Sequence, residues 1–197
     1  MRRCFHSASQ ASAGTSSINF ASINMEIGML HNAVNSRVAA LKSLAILDTP
    51  PEAAYDAITR LAALVCGTPI ALISLIDGDR LWFKSAYGLE VSGTTSASSF
   101  CCEAANVNQV LEVCDARVDR RFCGIGLVTG NLQIRYYAGI PLEVNGATIG
   151  TLCVLGQQPH QLTAVQTAAL KDLSLLSTTL LRSRIEAFTL LSLARAQ

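Results

Sequence analysis

Charge is scarce in this sequence and neither sign dominates. Charged residues make up 15% of the 197, and 15 Lys+Arg against 14 Asp+Glu leave a net charge of +1. With half the residues apolar, that balance excludes a polyelectrolyte or a disordered chain. No basic stripe for nucleic acid stands out. Long apolar runs are also missing, because Lys, Asp, Arg or Gly interrupts each one well before the ~20 residues that span a bilayer. His6, His31 and His160 all lie outside the cysteine-bearing stretch from Cys66 to Cys153, and no C-x-x-C occurs, so zinc-type ligand spacing is absent. There is no phosphate-binding glycine loop, Ser/His/Asp set or carboxylate pair with supporting context. These absences leave a soluble globular chain of one domain plus tails, with no metal site, nucleic-acid partner or membrane span expected.

What is present is unevenly distributed. Seven cysteines, an odd number without a secretory signal, fit reduced thiols behaving as small buried hydrophobes in the cytoplasm. Residues 1–30 are rich in serine, contain Arg2 and Arg3 and have no acidic residue before Glu26. They read as a disordered leader or a start assigned too early, with Met25 or Met29 as the true start. Residues 31–48 carry a helical period in Val34, Val38, Leu41 and Leu44. Residues 49–161 form the core of the expected domain. Thr49-Pro50-Pro51-Glu52 has the spacing of a capping box and predicts a helix with Tyr55, Ile58, Leu61, Ala62 and Val65 facing inward, ending at Gly67.

Ile70 to Ile76 is a continuous apolar run of strand length, suited to burial on both faces. After the Asp77-Gly78-Asp79 turn, Arg80 to Tyr87 alternates: Trp82 and Lys84 share one face, while Leu81, Phe83 and Ser85 take the other. Ser98 to Ala105 reads as a short capped helix, Val110 to Val113 as a short strand, and Asp115 to Gly130 as a crossover loop. Two more strands flank Asn145-Gly146, the strongest hairpin signal in the chain. Residues 162–197 predict one long helix. In it Ala169, Leu173, Leu176, Leu180, Ser183, Ala187, Leu190 and Ala194 follow a four-three repeat, apolar at all but Ser183. The stripe predicts a partner helix, with Leu173, Leu176, Leu180, Ala187 and Leu190 at a homodimer interface.

Several blocks resemble one known family. Ile46-Leu47-Asp48-Thr49-Pro50-Pro51-Glu52, Trp82-Phe83-Lys84-Ser85, Ser99-Phe100-Cys101, Asp115-Ala116 with Arg121-Phe122, Ile134-Arg135-Tyr136-Tyr137-Ala138-Gly139, and Gly150-Thr151-Leu152-Cys153-Val154 occur in the order of a bacterial sensory GAF subfamily. Members usually precede histidine kinases or diguanylate cyclases. The resemblance implies an α+β fold: a six-stranded antiparallel sheet, helices on one face, crossover loops over a pocket on the other, and a long C-terminal helix. It also implies dimerisation through the terminal helices and a role in sensing rather than catalysis, within two-component-type signalling. It names no cofactor. Because the chain stops at Gln197, within the helix that would lead into an output domain, a separate kinase or cyclase is the expected recipient. One departure stands out: where the family usually has Ser-Phe-Cys-x-His, Glu103 replaces the histidine.

The expected ligand-binding residues are Trp82, Lys84, Phe100, Cys101, Asp115, Arg135, Tyr137 and Cys153. Trp82 would give an aromatic floor, and Lys84 with Arg135 a cationic wall for an anionic or aromatic molecule. Against this, Lys84 can simply extend its amine to water, and Asp115 can start a turn. Cys101 sits near a helix N-terminus, where its thiol pKa can fall. That supports a second expectation, a thiol redox sensor or methionine-sulfoxide-reductase-like enzyme using Cys101 with Cys102, Cys114 or Cys123. A third is a truncated interaction module with an empty pocket.

Overall fold

The computed structural model describes residues 34–96 and 99–195, without the side chains of 188–193 and 195. The leader expected over residues 1–30 lies outside them. After helix α1 (residues 34–44) come α2 (Ala53–Cys66), β1 (Ile70–Asp77), β2 (Arg80–Tyr87) and β3 (Gly93–Thr95). These are followed by α3 (Phe100–Val107), β4 (Leu111–Val113), α4 (Gly126–Thr129), β5 (Tyr136–Val144), β6 (Ala147–Gly156) and α5 (Ala164–Arg195). The strands form one six-stranded antiparallel sheet in the order β3-β2-β1-β6-β5-β4.

Local chemistry sets most boundaries. Gly67 stops α2 in the left-handed region at φ 66°, where a Cβ would be strained. Asn145 and Gly146, at φ 52° and 75°, supply the two positive angles that a two-residue β5–β6 turn needs. The start of α2 differs from expectation: Glu52 is its N-cap and gives no side-chain cap. Thr49 instead donates to the Ile46 carbonyl at 2.6 Å and accepts from the Lys84 amine at 2.9 Å. Within α2 the buried residues are Tyr55, Ile58, Thr59, Ala62, Ala63 and Cys66, whereas Leu61 and Val65 are exposed. α5 has a capping box of its own, in which Thr163 Oγ1 accepts from Gln166 N–H and Gln166 Oε1 accepts from Thr163 N–H.

The sheet separates two apolar layers. On one face Ile73, Leu75, Trp82, Tyr136, Leu142, Leu152 and Val154 pack under α1, α2 and α5. On the other, Leu72, Leu81, Phe83, Tyr137, Cys153 and Leu155 pack against α3 and the crossover loop. A β-bulge modifies the alternation of β2. Ser74 pairs with Phe83 and Ile73 with Ser85, so Lys84 is the extra residue. Ser85 therefore turns to the helix face, where it donates to Asp56 Oδ1 at 2.7 Å and lies 2.8 Å from the Thr59 hydroxyl.

The long helix also uses a different face from the four-three stripe. It packs on the sheet through Leu170, Leu173, Ser174, Ser177, Thr178 and Leu181. Ser177 and Thr178 donate back to the Leu173 and Ser174 carbonyls, and Ser174 reaches the Pro141 carbonyl at 3.4 Å. Small hydroxylated residues satisfied in this way let the helix come close to β5. Leu173 is thus buried in its own domain and Leu180 partly so, which removes both from a free partner face. Leu176 and Ala187 are exposed, and the Leu190 side chain lies outside the described residues.

Candidate functional site

The candidate site lies on the sheet face opposite α2 and α5. Ser99 starts α3 by accepting from Cys102 N–H at 3.1 Å, and the first turn then aims Phe100 and Cys101 at the sheet. Phe100 stacks on Tyr137, with ring centroids 4.9 Å apart and planes 12° apart, and meets Phe122 of the crossover loop at 4.4 Å. Gly139 makes room for this stack: a Cβ there would come within 2.1 Å of the Tyr137 hydroxyl. Between these rings, the sheet and the loop is a cavity of about 210 Å³, walled by Leu72, Leu81, Phe83, Leu127, Ile134 and Leu155. Among the residues that line it there is no Asp, Glu, Lys, Arg or His.

Beneath the apolar wall is a buried polar cluster. Cys101 and Cys153 bring their sulfurs to 3.7 Å, and the Ser74 and Thr151 hydroxyls lie 2.9 Å apart beside them. The Tyr137 hydroxyl is fully buried and has no partner at hydrogen-bonding geometry. The neighbouring Cys153 thiol, then the hydroxyls of Ser74 and Thr151, favour the Cys101 thiolate against the cost of burial and hold its pKa below that of an ordinary thiol. The proton stays with Cys153, whose pKa is pushed up by the facing Cys101 and by burial. Burial raises the Tyr137 phenol well above its usual range.

The eight expected site residues divide. Phe100, Cys101 and Tyr137 line the cavity, and Cys153 lies behind Cys101. The other four do not join them. Trp82 belongs to the helix-side layer. The Lys84 ammonium donates to Thr49 Oγ1, the Pro50 carbonyl and Glu52 Oε1, the last at 2.6 Å, and its side chain is 0% exposed. Its amine reaches neither water nor ligand, because the loop between α1 and α2 brings a carboxylate to it. Arg135 donates to the Val128 and Ile134 carbonyls and so ties down α4. Asp115 forms a turn with Arg117, accepting from its backbone N–H at 3.1 Å and from its guanidinium at 2.7 Å. Glu103, in place of the family histidine, lies 3.7 Å from Arg121.

Leu81 and Phe83 are the residues passed over. They occupy the opposite face of β2 from Trp82 and Lys84, and period-two alternation had already separated the two sets. Among the described residues no three His, Cys, Asp or Glu side chains come together as a metal site would require, and no helix is long and apolar enough to cross a membrane.

Comparison with known proteins agrees with this geometry. The GAF domain model matches residues 50–178. A cyclic di-GMP phosphodiesterase of Pseudomonas aeruginosa is 38% identical over 127 residues, which are 64% of this chain and 22% of that protein. The chain thus spans about a fifth of that relative. Among solved structures, the GAF domain of an Acinetobacter phosphoenolpyruvate-protein phosphotransferase superposes with a TM-score of 0.56 at 15% identity, covering 79% of this chain and 93% of that one. The free methionine-R-sulfoxide reductase of Neisseria meningitidis gives 0.54 at 17%, covering 79% and 91%. At such identities the likeness is one of fold alone. With the family model matching well over half of the chain and the expected sheet, helices and loop-covered pocket all present, this chain belongs to the GAF domain family.

Proposed function

We propose that this GAF domain is a non-catalytic sensor that binds a compact, largely apolar small molecule beneath α3 and reports its presence through α5. The observation that carries the reading is the apolar cavity between α3, the sheet and the crossover loop. A volume of about 210 Å³ exceeds the ~150 Å³ that holds benzene and falls short of the ~300 Å³ typical of drug-sized ligands. Those limits fit a single-ring or short-chain molecule. A lining without Lys, Arg or His argues for a neutral ligand rather than an anionic one, since a carboxylate there would lose its hydration without gaining a cation.

The regulated activity belongs to another catalytic unit, as suits a segment that matches 22% of a cyclic di-GMP phosphodiesterase. The output element is α5, which joins the rest of the domain through Arg184: its guanidinium donates to the Leu44 and Ala45 carbonyls and to Glu52 Oε1. A second copy packs against the exposed face that includes Leu176 and Ala187. A ligand can shift this arrangement only by binding one helix position better than another.

Native mass spectrometry of the protein from its own cells, beside Leu81→Trp, tests the reading. A dimer carrying one small non-covalent adduct, lost in a folded Leu81→Trp variant, is the expected result. A bare wild-type chain, or an adduct that persists in the filled cavity, overturns it.

A further inference from the structure

Six cysteines fall within the described residues, and one pair stands apart. Cys101, in the first turn of α3, and Cys153, in the middle of β6, are separated by 52 positions yet meet with sulfurs 3.7 Å apart. Most buried cysteines are inert small hydrophobes because no reagent reaches them. Cys66 is of that kind: it is 0% exposed in the helix-side layer, and burial raises its pKa to about 11. Cys101 differs in two respects. It forms part of the cavity wall, whereas Cys66 lies in the closed helix-side layer. It also lies against a second thiol, the Cys153 sulfur at 3.7 Å, with the Ser74 and Thr151 hydroxyls beside the pair in place of a purely apolar shell.

We infer that Cys101 and Cys153 form a redox-active dithiol, oxidised to a disulfide by a small hydroperoxide entering the cavity. The Cys101 sulfur attacks the terminal peroxide oxygen. The O–O bond breaks, and the departing alkoxide leaves as the alcohol with the proton Cys101 gave up, so Cys101 becomes a sulfenic acid. Cys153 then attacks the Cys101 sulfur. The S–S bond forms as the S–O bond breaks, and hydroxide leaves as water with the Cys153 proton. Two thiols lose two electrons and two protons, and one hydroperoxide becomes one alcohol and one water. The hydrogen bonds that lower the Cys101 pKa make it the attacking sulfur, and the proton-holding Cys153 resolves the intermediate. The bond would pin the start of α3 to the centre of the sheet and fix one wall of the cavity. Neither Cys102 nor the loop cysteines at 114 and 123 is needed. The inference is independent of what ligand the cavity holds, because it requires only that a small peroxide fit.

The test uses the full-length, fully reduced chain, titrated with hydrogen peroxide and with tert-butyl hydroperoxide, digested at acid pH and mapped by mass. The expected product is a Cys101–Cys153 linked peptide that has lost two hydrogens and reverts with dithiothreitol. It should form about tenfold faster than oxidation of the exposed Cys123. Cys153→Ala should trap a Cys101 that reacts with dimedone. Oxidation of Cys123 first, with Cys101 and Cys153 still unlinked, overturns the inference, and so does linkage of Cys101 to Cys102 or Cys114. The wild-type map decides between these outcomes even if a variant folds poorly.

Discussion

The two faces of this sheet are built from similar residues and end in opposite states. On the helix face most strong polar groups among the described residues are answered, the buried His160 Nε2 beside the Tyr136 ring excepted. Lys84 is held by Glu52, Thr49 and Pro50, Glu52 also takes Arg184, and Tyr136 donates to Glu112 at 2.9 Å. On the loop face a cavity remains, and the Tyr137 hydroxyl beside it has no partner. Adjacent tyrosines on β5 thus have different fates, one satisfied within the fold and one buried without a partner. A face completed within the chain serves stability. A face left open at some energetic cost is where binding is to be sought.

Truncating one leucine on each face gives the largest contrast. Leu152→Ala, at 0% exposure on the helix face, should cost about 4 kcal/mol. Leu81→Ala, already beside a cavity, should cost about 2 kcal/mol, because fewer packed atoms are lost. Urea unfolding measures both, and equal losses would break the comparison. Next, Glu52→Ala should cost about 3 kcal/mol, because the Lys84 ammonium, with its side chain 0% exposed, is left with neutral acceptors only. It should leave binding of a cavity probe such as indole unchanged; a loss under about 0.5 kcal/mol would mean Lys84 finds water instead. Gly139→Ala should cost about 2 kcal/mol by driving the Tyr137 ring off its stack on Phe100, and should weaken indole binding at least tenfold by calorimetry. Smallest in stability is Tyr137→Phe, which removes an unpartnered hydroxyl and should change unfolding by less than about 0.5 kcal/mol. A large loss there would mean the hydroxyl is bonded after all.

Much of the fold was legible because it is encoded locally. Gly67, the Asn145-Gly146 turn and the unbroken Ile70–Ile76 run each determine their element within a few residues, and the ordered motif blocks supply the topology. The site was less legible because its facts are relational. Alternation in β2 separates Leu81 and Phe83 from Trp82 and Lys84, but it does not say which pair the helices cover. The bulge at Lys84 then carries Ser85 to the face opposite its alternation. The Lys84 amine looks like a free cation until Glu52, 32 residues away in sequence, is folded against it. Ser174, Ser177 and Thr178 fall outside the apolar four-three stripe, yet each hydroxyl bonds a carbonyl and the row packs on the sheet. The Cys101–Cys153 contact crosses the domain, and spacing along the chain carries no trace of it.

The most direct test of the division between the two faces is a methyl NMR titration of the chain with indole, a neutral single-ring probe of the cavity's size. Shifts should concentrate on the methyls of Leu72, Leu81, Ile134 and Leu155, which line the cavity, while Ile73 and Leu152 on the helix face stay nearly still. Shifts of equal size on both faces, or none at all up to the solubility limit of indole, would contradict the claim that the loop face alone is open to a ligand.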